Sequence, residues 1–435
     1  MKSRSICVTW LLALAAATFP VLLSAQANSF RRAKYIVTDL GTLPGGNFSQ
    51  ATDNNNLGLV TGVSSVNDGS QHAVVWLEKR IFDISQPGLG GPNSYAAGIT
   101  PFGRVAGIAE SSKADPNNEN FCAYFTGLEC QPFAWQQGVM TPLRLLGGNN
   151  GSAGPLNTRG QIVGMAETGT VDPDCPGTVA ANGTGPQVLD FEPVIWDTPS
   201  SRPRRLKLPD GDTVGAALGI NDRGQAVGTT GTCNNLYPPP FVAGPHAVFW
   251  DEDGSVHDLG NLGGTANPNI TAVGNVAFAV NNRRQVTGLS ALPRSQTIHA
   301  FFWSEETGKM LDLGTAPPGD LFSAGLAMND EGDIVGASLD GPPPMGNARA
   351  VIWHNRQIAD LNSLVAPTSL YLLTAFGINN AGQIVGFGVD MNTQEIHGFL
   401  AMPVTGDNGP VARGAIERPQ LPPHVIADLP SRKHF

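Results

Sequence analysis

A single ten-residue phrase constrains this chain more than its length does. "GINDRGQAVG" occupies Gly219 to Gly228 and "GINNAGQIVG" occupies Gly377 to Gly386. Relatives of the phrase bring the count to seven, with last glycines at Gly62, Gly107, Gly164, Gly228, Gly288, Gly336 and Gly386. Their spacings of 45, 57, 64, 60, 48 and 50 residues fall in the range of four-stranded propeller blades that carry insertions. A chain of 435 residues would otherwise suggest two or three ordinary domains. The repeat overrides that expectation, because one unit of this size cannot bury both its faces alone.

Each copy supplies four strand-like pieces. The first ends in the pattern small, any, small, apolar, Asn, as in "ALGIN" (Ala217 to Asn221) and "AFGIN" (Ala375 to Asn379). Its leading residue is Ala51, Ala96, Ala153, Ala217, Ala277, Gly325 or Ala375, as expected where strands converge on an axis. An Asn-x-x-Gly turn follows in most copies, with Arg284 in place of the glycine in the fifth. The second strand is "QIVG" or a relative, and the third is "HAVVW", "HAVFW", "HAFFW" or a variant such as "QPFAW" and "EPVIW". The fourth carries Asp-Leu, as at Asp258-Leu259, Asp312-Leu313 and Asp360-Leu361. Copy seven lacks a fourth strand, while "YIVTDLGTL" (Tyr35 to Leu43) precedes copy one and has that pattern. The expected fold is therefore all-β, a seven-bladed β-propeller over residues 33–402, closed by the N-terminal strand completing the last blade.

These residues resemble the HAF-type extracellular repeat, named for its His-Ala-Phe signature. His299-Ala300-Phe301-Phe302-Trp303 is the cleanest copy, and Met310-Leu311-Asp312-Leu313-Gly314 continues it. The likeness spans roughly residues 35 to 401. It implies a secreted bacterial repeat protein without a generally assigned activity. Copies two and three lack the His-Ala pair, and copy seven lacks the Trp.

The N-terminus supports secretion. Lys2 and Arg4 precede an apolar run from Ile6 to Leu23, and Ala25 and Ala27 form an A-x-A arrangement, so residues 1–27 read as a signal peptide. Without Lys2 and Arg4 the formal charge moves from −10 to −12, which argues against a nucleic-acid partner. No later stretch is long and apolar enough for a membrane span. The expected location is secreted, periplasmic or at the cell surface, and the expected state is a monomer without cofactor or metal. Residues 403–435 lack periodicity, hold six prolines and are expected to be disordered, with a surface tether as the alternative.

Function must come from residues outside the repeat, because recurring His, Trp and Asp are most economically scaffold. The connections between second and third strands have lengths of 10, 24, 28, 18, 11, 13 and 11 residues, so only blades two, three and four are extended. Those insertions are expected to form a raised wall on one rim. All four cysteines of the mature chain lie in it, and bridges Cys122 to Cys130 and Cys175 to Cys233 are expected. The wall also carries Phe121, Tyr124, Phe125, Tyr237 and Phe241, whose rings would either stack on a glycan or protein ligand or pack the loops on themselves. Glu110 and Glu167 stand at equivalent positions of blades two and three. Neighbouring sheets would hold them roughly 10 Å apart, near the upper end of the range for an inverting glycosidase pair. The leading expectation is a binding scaffold for an extracellular glycan or surface protein. The alternatives are a polysaccharide-active enzyme using Glu110 and Glu167, and a structural cell-surface component.

Overall fold

Seven antiparallel four-stranded sheets make up the protein, each with its strands in chain order from the inside outward except the last. The computed structural model describes residues 34–404, apart from 79, 176–186, 237–241, 268–272, 295 and 343–345, and the isolated positions 412 and 419. The predicted signal segment, nearly all of the predicted tail, and both Tyr237 and Phe241 lie outside the described residues. Among those described, no helix is long and apolar enough to cross a membrane.

The inner strands are Ser49–Asn54, Gly90–Ile99, Gly151–Leu156, Val214–Ile220, Val276–Val280, Phe322–Met328 and Leu370–Ile378. Each touches the inner strands on both sides, and the seventh touches the first. The last blade comprises Leu370–Ile378, Ile384–Asp390, Ile396–Pro403 and, on its outside, the N-terminal strand Tyr35–Asp39, paired from Tyr35 opposite Pro403 to Asp39 opposite Phe399. The fold is the seven-bladed propeller that the repeat predicts.

The phrase glycine has a packing cause. Every inner strand carries a bulge beside its small leading residue, as between Ala51 and Asp53, Ala217 and Gly219, or Ala375 and Gly377. The bulge turns a carbonyl oxygen onto the second strand, where a Cβ at Gly62, Gly228 or Gly386 would overlap the oxygens of Gln50, Ala216 or Thr374. Only a residue without a side chain fits there.

Packing energy is divided among the gaps between blades. Seven separate apolar clusters fill them, one per gap; Val163, Ile195, Ala217, Ala226, Val248 and Trp250 form the one between blades three and four. In three blades the repeated Trp is an inter-blade staple. Trp196, Trp250 and Trp353 each donate their indole N–H to a carbonyl of the preceding blade, at Arg144, Lys207 and Leu313, over 2.8, 2.6 and 3.0 Å.

The signature histidine pairs within its own blade. His72, His246, His299 and His397 donate Nδ1–H to Asp83, Asp258, Asp312 and Asp39 of the fourth strand at 2.7 to 2.8 Å. Two blades that lack the histidine keep a charge pair there: Arg349 with Asp360 at 3.3 Å, and in reversed sense Glu192 with Arg205 at 2.7 Å.

Candidate functional site

The hairpin turns and the long connections emerge on opposite faces of the ring, here called the turn face and the loop face. On the turn face the Asn of the inner hairpin reaches the next blade in every blade but the second, where Thr100 stands in its place. Asn221 donates its amide to Asn281 O at 3.0 Å, Asn281 to Asn329 O at 3.1 Å, Asn379 to Asn55 O at 3.1 Å and Asn55 to Thr100 O at 3.0 Å. These bonds rim a polar mouth of about 200 Å³.

The mouth leads into a central cavity of about 330 Å³. Asp53, Leu156, Ile220, Val280, Met328 and Ile378 line both spaces, so the cavity opens toward the turn face. Deeper walls come from Leu218, Phe278, Leu326 and Phe376, and the loop-face end from Tyr95, Ile108, Met165 and Phe121.

Asp53 breaks the repeat. Its equivalents are Gly98, Pro155, Gly219, Ala279, Ala327 and Gly377, all small and uncharged. One carboxylate oxygen accepts from Asn54 N at 2.8 Å and the other from Ile99 N at 3.0 Å. Desolvation nevertheless pushes its pKa from 3.8 up to about 6. Sequence reasoning missed it. The signal was available, because "ATDNN" (Ala51 to Asn55) is the copy whose third and fourth positions are polar.

The insertions do not stand up as a wall of exposed rings. Those of blades two and three begin as prolonged hairpins, Val105–Ala114 with Leu128–Gln136 and Ile162–Val171 with Leu189–Trp196, and the blade-two insertion then turns inward over the loop face, where Cys175 of blade three joins the same apolar cluster. Phe121 is 3% exposed, lines the central cavity and meets Phe191 edge-on at 6.5 Å. Tyr124 is largely buried against the same apolar cluster, to which all seven blades contribute. Of the described wall rings only Phe125, 60% exposed, faces solvent. The physical reason is the loop-face end of the ring, an apolar annulus including Phe48, Val276 and Tyr371 that the insertions cover.

Both predicted bridges are formed, Cys122 to Cys130 with Cα atoms 5.5 Å apart and Cys175 to Cys233 at 5.0 Å. They tie down the covering loops, they leave these thiols unavailable to a metal, and they fit an oxidising compartment.

Glu110 and Glu167 occupy equivalent places, each where the hairpin ladder breaks. Both are buried, at 1% and 0% exposure. Glu110 accepts from Asn93 Nδ2 at 2.8 Å and from the Thr126 hydroxyl, and burial raises its pKa. Glu167 accepts from the backbone N–H groups of Asn149 and Asn150 at 3.0 and 2.8 Å. It belongs to a cluster with Asp115 and Glu119 of the blade-two insertion, which gathers around Asn150 Nδ2 at distances of 2.6 Å (Asp115), 3.3 Å (Glu119) and 3.3 Å (Glu167). Gln187 Nε2 bridges Glu119 and Glu167 at 3.2 and 3.0 Å. Burial first, and the Glu119 charge second, push the Glu167 pKa up to about 8. Through Asn150 Nδ2 and Gln187 Nε2 this cluster latches the blade-two insertion to blade three. None of these carboxyls lines either space of the channel.

A serine–histidine–aspartate line in blade one is turn chemistry. Ser70 Oγ is 3.4 Å from His72 Nε2, and His72 pairs with Asp83, but the serine hydroxyl lies 2.6 Å from Asp68. The same Asp-Gly-Ser turn recurs at Asp253 to Ser255, with the hydroxyl 2.7 Å from Asp253.

No protein-family model matches the chain, and no curated protein matches it. Solved structures do. The β-propeller domain of the Trilobed protease from Pyrococcus furiosus is 13% identical over 85% of this chain and 99% of that one, with a TM-score of 0.45. An oligogalacturonate lyase in complex with manganese is 11% identical over 86% and 99%, with a TM-score of 0.46. A gluconolactonase from Xanthomonas campestris is 10% identical over 87% and 92%, with a TM-score of 0.37. The chain's own sheet topology makes it a β-propeller.

Proposed function

We propose that this protein is a secreted propeller of the HAF-repeat type that binds an extracellular ligand, a glycan or a segment of a surface protein, in its central channel. The observation that carries this reading is the cavity of about 330 Å³, open at the turn face, with Asp53 at its junction with the mouth where every other copy has a small uncharged residue. That volume is in the range of small-molecule sites, which are mostly apolar with a few placed polar groups. The insertions of blades two to four then act as a braced cover rather than as the contact surface, with Phe125 as their exposed ring. Burial of Glu110 and Glu167 under their own hydrogen-bond donors favours binding over polysaccharide cleavage, since a general acid must reach the bond it protonates.

A channel-filling variant tests the reading. Leu218→Trp places an indole among Phe278, Phe376 and Leu326. A panel of oligosaccharides and short peptides is screened against both proteins by calorimetry, with released sugar measured in parallel. A ligand held by the parent and lost by Leu218→Trp supports the channel. Equal binding to both moves the site to the insertions around Phe125, and sugar release with turnover replaces binding with catalysis.

A further inference from the structure

We infer that the channel selects an organic cation, an ammonium or guanidinium group on an aliphatic or aromatic body, with Asp53 as its counter-ion. This rests on the channel being the binding site. The charged residues lining cavity and mouth are Asp53, Asp222 and Asp330, and no Lys, Arg or His joins them. Asp222 and Asp330 are already held by neutral donors: Thr158 donates to Asp222 at 2.7 Å, and Asn282 and Asn380 donate to Asp330 at 3.1 and 2.9 Å. Asp53 differs. Each of its oxygens accepts one backbone N–H, which leaves further lone pairs on both.

The scaffold closes without a carboxylate at that position in six blades, so Asp53 is not required for ring formation. It is costly where it stands, because burial disfavours its ionised form. A cation at the junction of mouth and cavity offsets that cost. The space beyond the junction suits an apolar body, with Leu218 and Leu326 as aliphatic walls and Phe278 and Phe376 as rings able to face a cation. A neutral sugar meets few partners here. The Thr52 hydroxyl is engaged by Ala96 O at 2.7 Å and Thr61 O at 3.0 Å, and the remaining deep wall is chiefly apolar. For an anion, the charged groups lining the entrance are all acids.

The cation has two sources, a free amine or a basic side chain of a peptide, and the experiment separates them. Calorimetry at pH 7.5 uses phenethylamine and agmatine as free amines, acetyl-Gly-Arg-Gly-amide as the peptide form, and 2-phenylethanol as the neutral match. The expected result is at least tenfold tighter binding of a cation than of 2-phenylethanol, weakened at least tenfold by Asp53→Asn and by Leu218→Trp. Asp53→Ser serves as a second variant if Asp53→Asn unfolds, as judged by its melting curve. Binding of the peptide without the free amines assigns the source to a basic side chain. Cation binding unchanged in the Asp53 variants overturns the inference. If 2-phenylethanol binds as well as the amines and Leu218→Trp abolishes both, the charge selectivity fails while the channel stands. Cation binding indifferent to Leu218→Trp sinks the charge inference and the channel together.

Discussion

His397 donates its Nδ1–H to Asp39 at 2.8 Å, across 358 positions of sequence. The bond joins the third strand of the last blade to the first strand of the chain, so the repeated His–Asp pair here closes the ring. His397 has its pKa raised, by the bond to Asp39 first, against a smaller opposing effect of burial. The folded state therefore holds the proton more tightly than the unfolded one. Its contribution is complete below the ordinary histidine value of 6.5 and is lost as pH rises through the higher folded value. His397→Ala is expected to lower stability by about 1 to 2 kcal/mol at pH 5.5. The deficit should shrink at pH 8.5 in paired urea melts, and a pH-independent deficit would show that the imidazole acts only by packing.

The two disulfides should contribute unequally. Cys175 and Cys233 are separated by 58 residues, and Cys122 and Cys130 by 8. Loop-closure entropy then assigns about 4 kcal/mol to the long bridge and about 2.5 kcal/mol to the short one. Double Cys→Ser variants compared by denaturant unfolding should follow that order. The short-bridge variant should also free the blade-two insertion locally, read as faster amide exchange at Phe121 to Tyr124.

The fold was legible because a propeller writes its constraints once per blade. The phrase glycines mark the bulge contact, the leading Ala marks the axis, and Asp39-Leu40 marks the missing outer strand. The candidate site was less legible, and for a matching reason. Asp115 and Glu119 lie in an insertion with no repeat frame, so nothing in sequence spacing brings them to Glu167 on the next blade. For Phe121 and Tyr124 the sequence leaves open whether the rings face a ligand or pack the loops, and the apolar annulus at the loop face, assembled from seven distant strand ends, draws them inward. Asp53 was visible only as a departure from pattern. The copies agree where the scaffold needs them, and Asp53 stands where one of them differs.

Arg284 tests whether the turn chemistry holds where the sequence departs from it. It occupies the turn-glycine position of blade five with φ of 58°, while its counterpart Gly224 has φ of 85°. The left-handed backbone costs a side-chain-bearing residue about 1 kcal/mol or more. Arg284 offsets this by pairing with Asp251 at 2.8 Å and Glu305 at 2.7 Å, and by lying 5.1 Å over the Phe249 ring. Arg284→Ala loses the contacts and keeps the strain. Arg284→Gly loses the contacts and removes it. The glycine variant should be the more stable of the two by about 1 kcal/mol, and the reverse order in thermal melts would mean that the backbone there is not strained.

Glu167 supplies a pH dependence of the fold across the neutral range. Its ordinary pKa is 4.5 and its folded value is about 8, raised by burial and then by the Glu119 charge. Between those values the unfolded chain releases a proton that the folded protein retains, so stability falls as pH rises across that window and the loss is complete above about 8. Glu167→Gln imitates the neutral acid and can donate toward Glu119 while still accepting from Asn149 and Asn150 N–H. The melting temperature of this variant should vary less between pH 5 and pH 9 than that of the parent, and should exceed it at the alkaline end. Glu167→Ala removes the acceptor from two backbone donors and is expected to cost about 2 to 4 kcal/mol at pH 5. If Gln and Ala behaved alike, the cluster would not be the latch that holds the blade-two insertion over the ring. The insertion would then depend on its disulfide and on Phe121 alone.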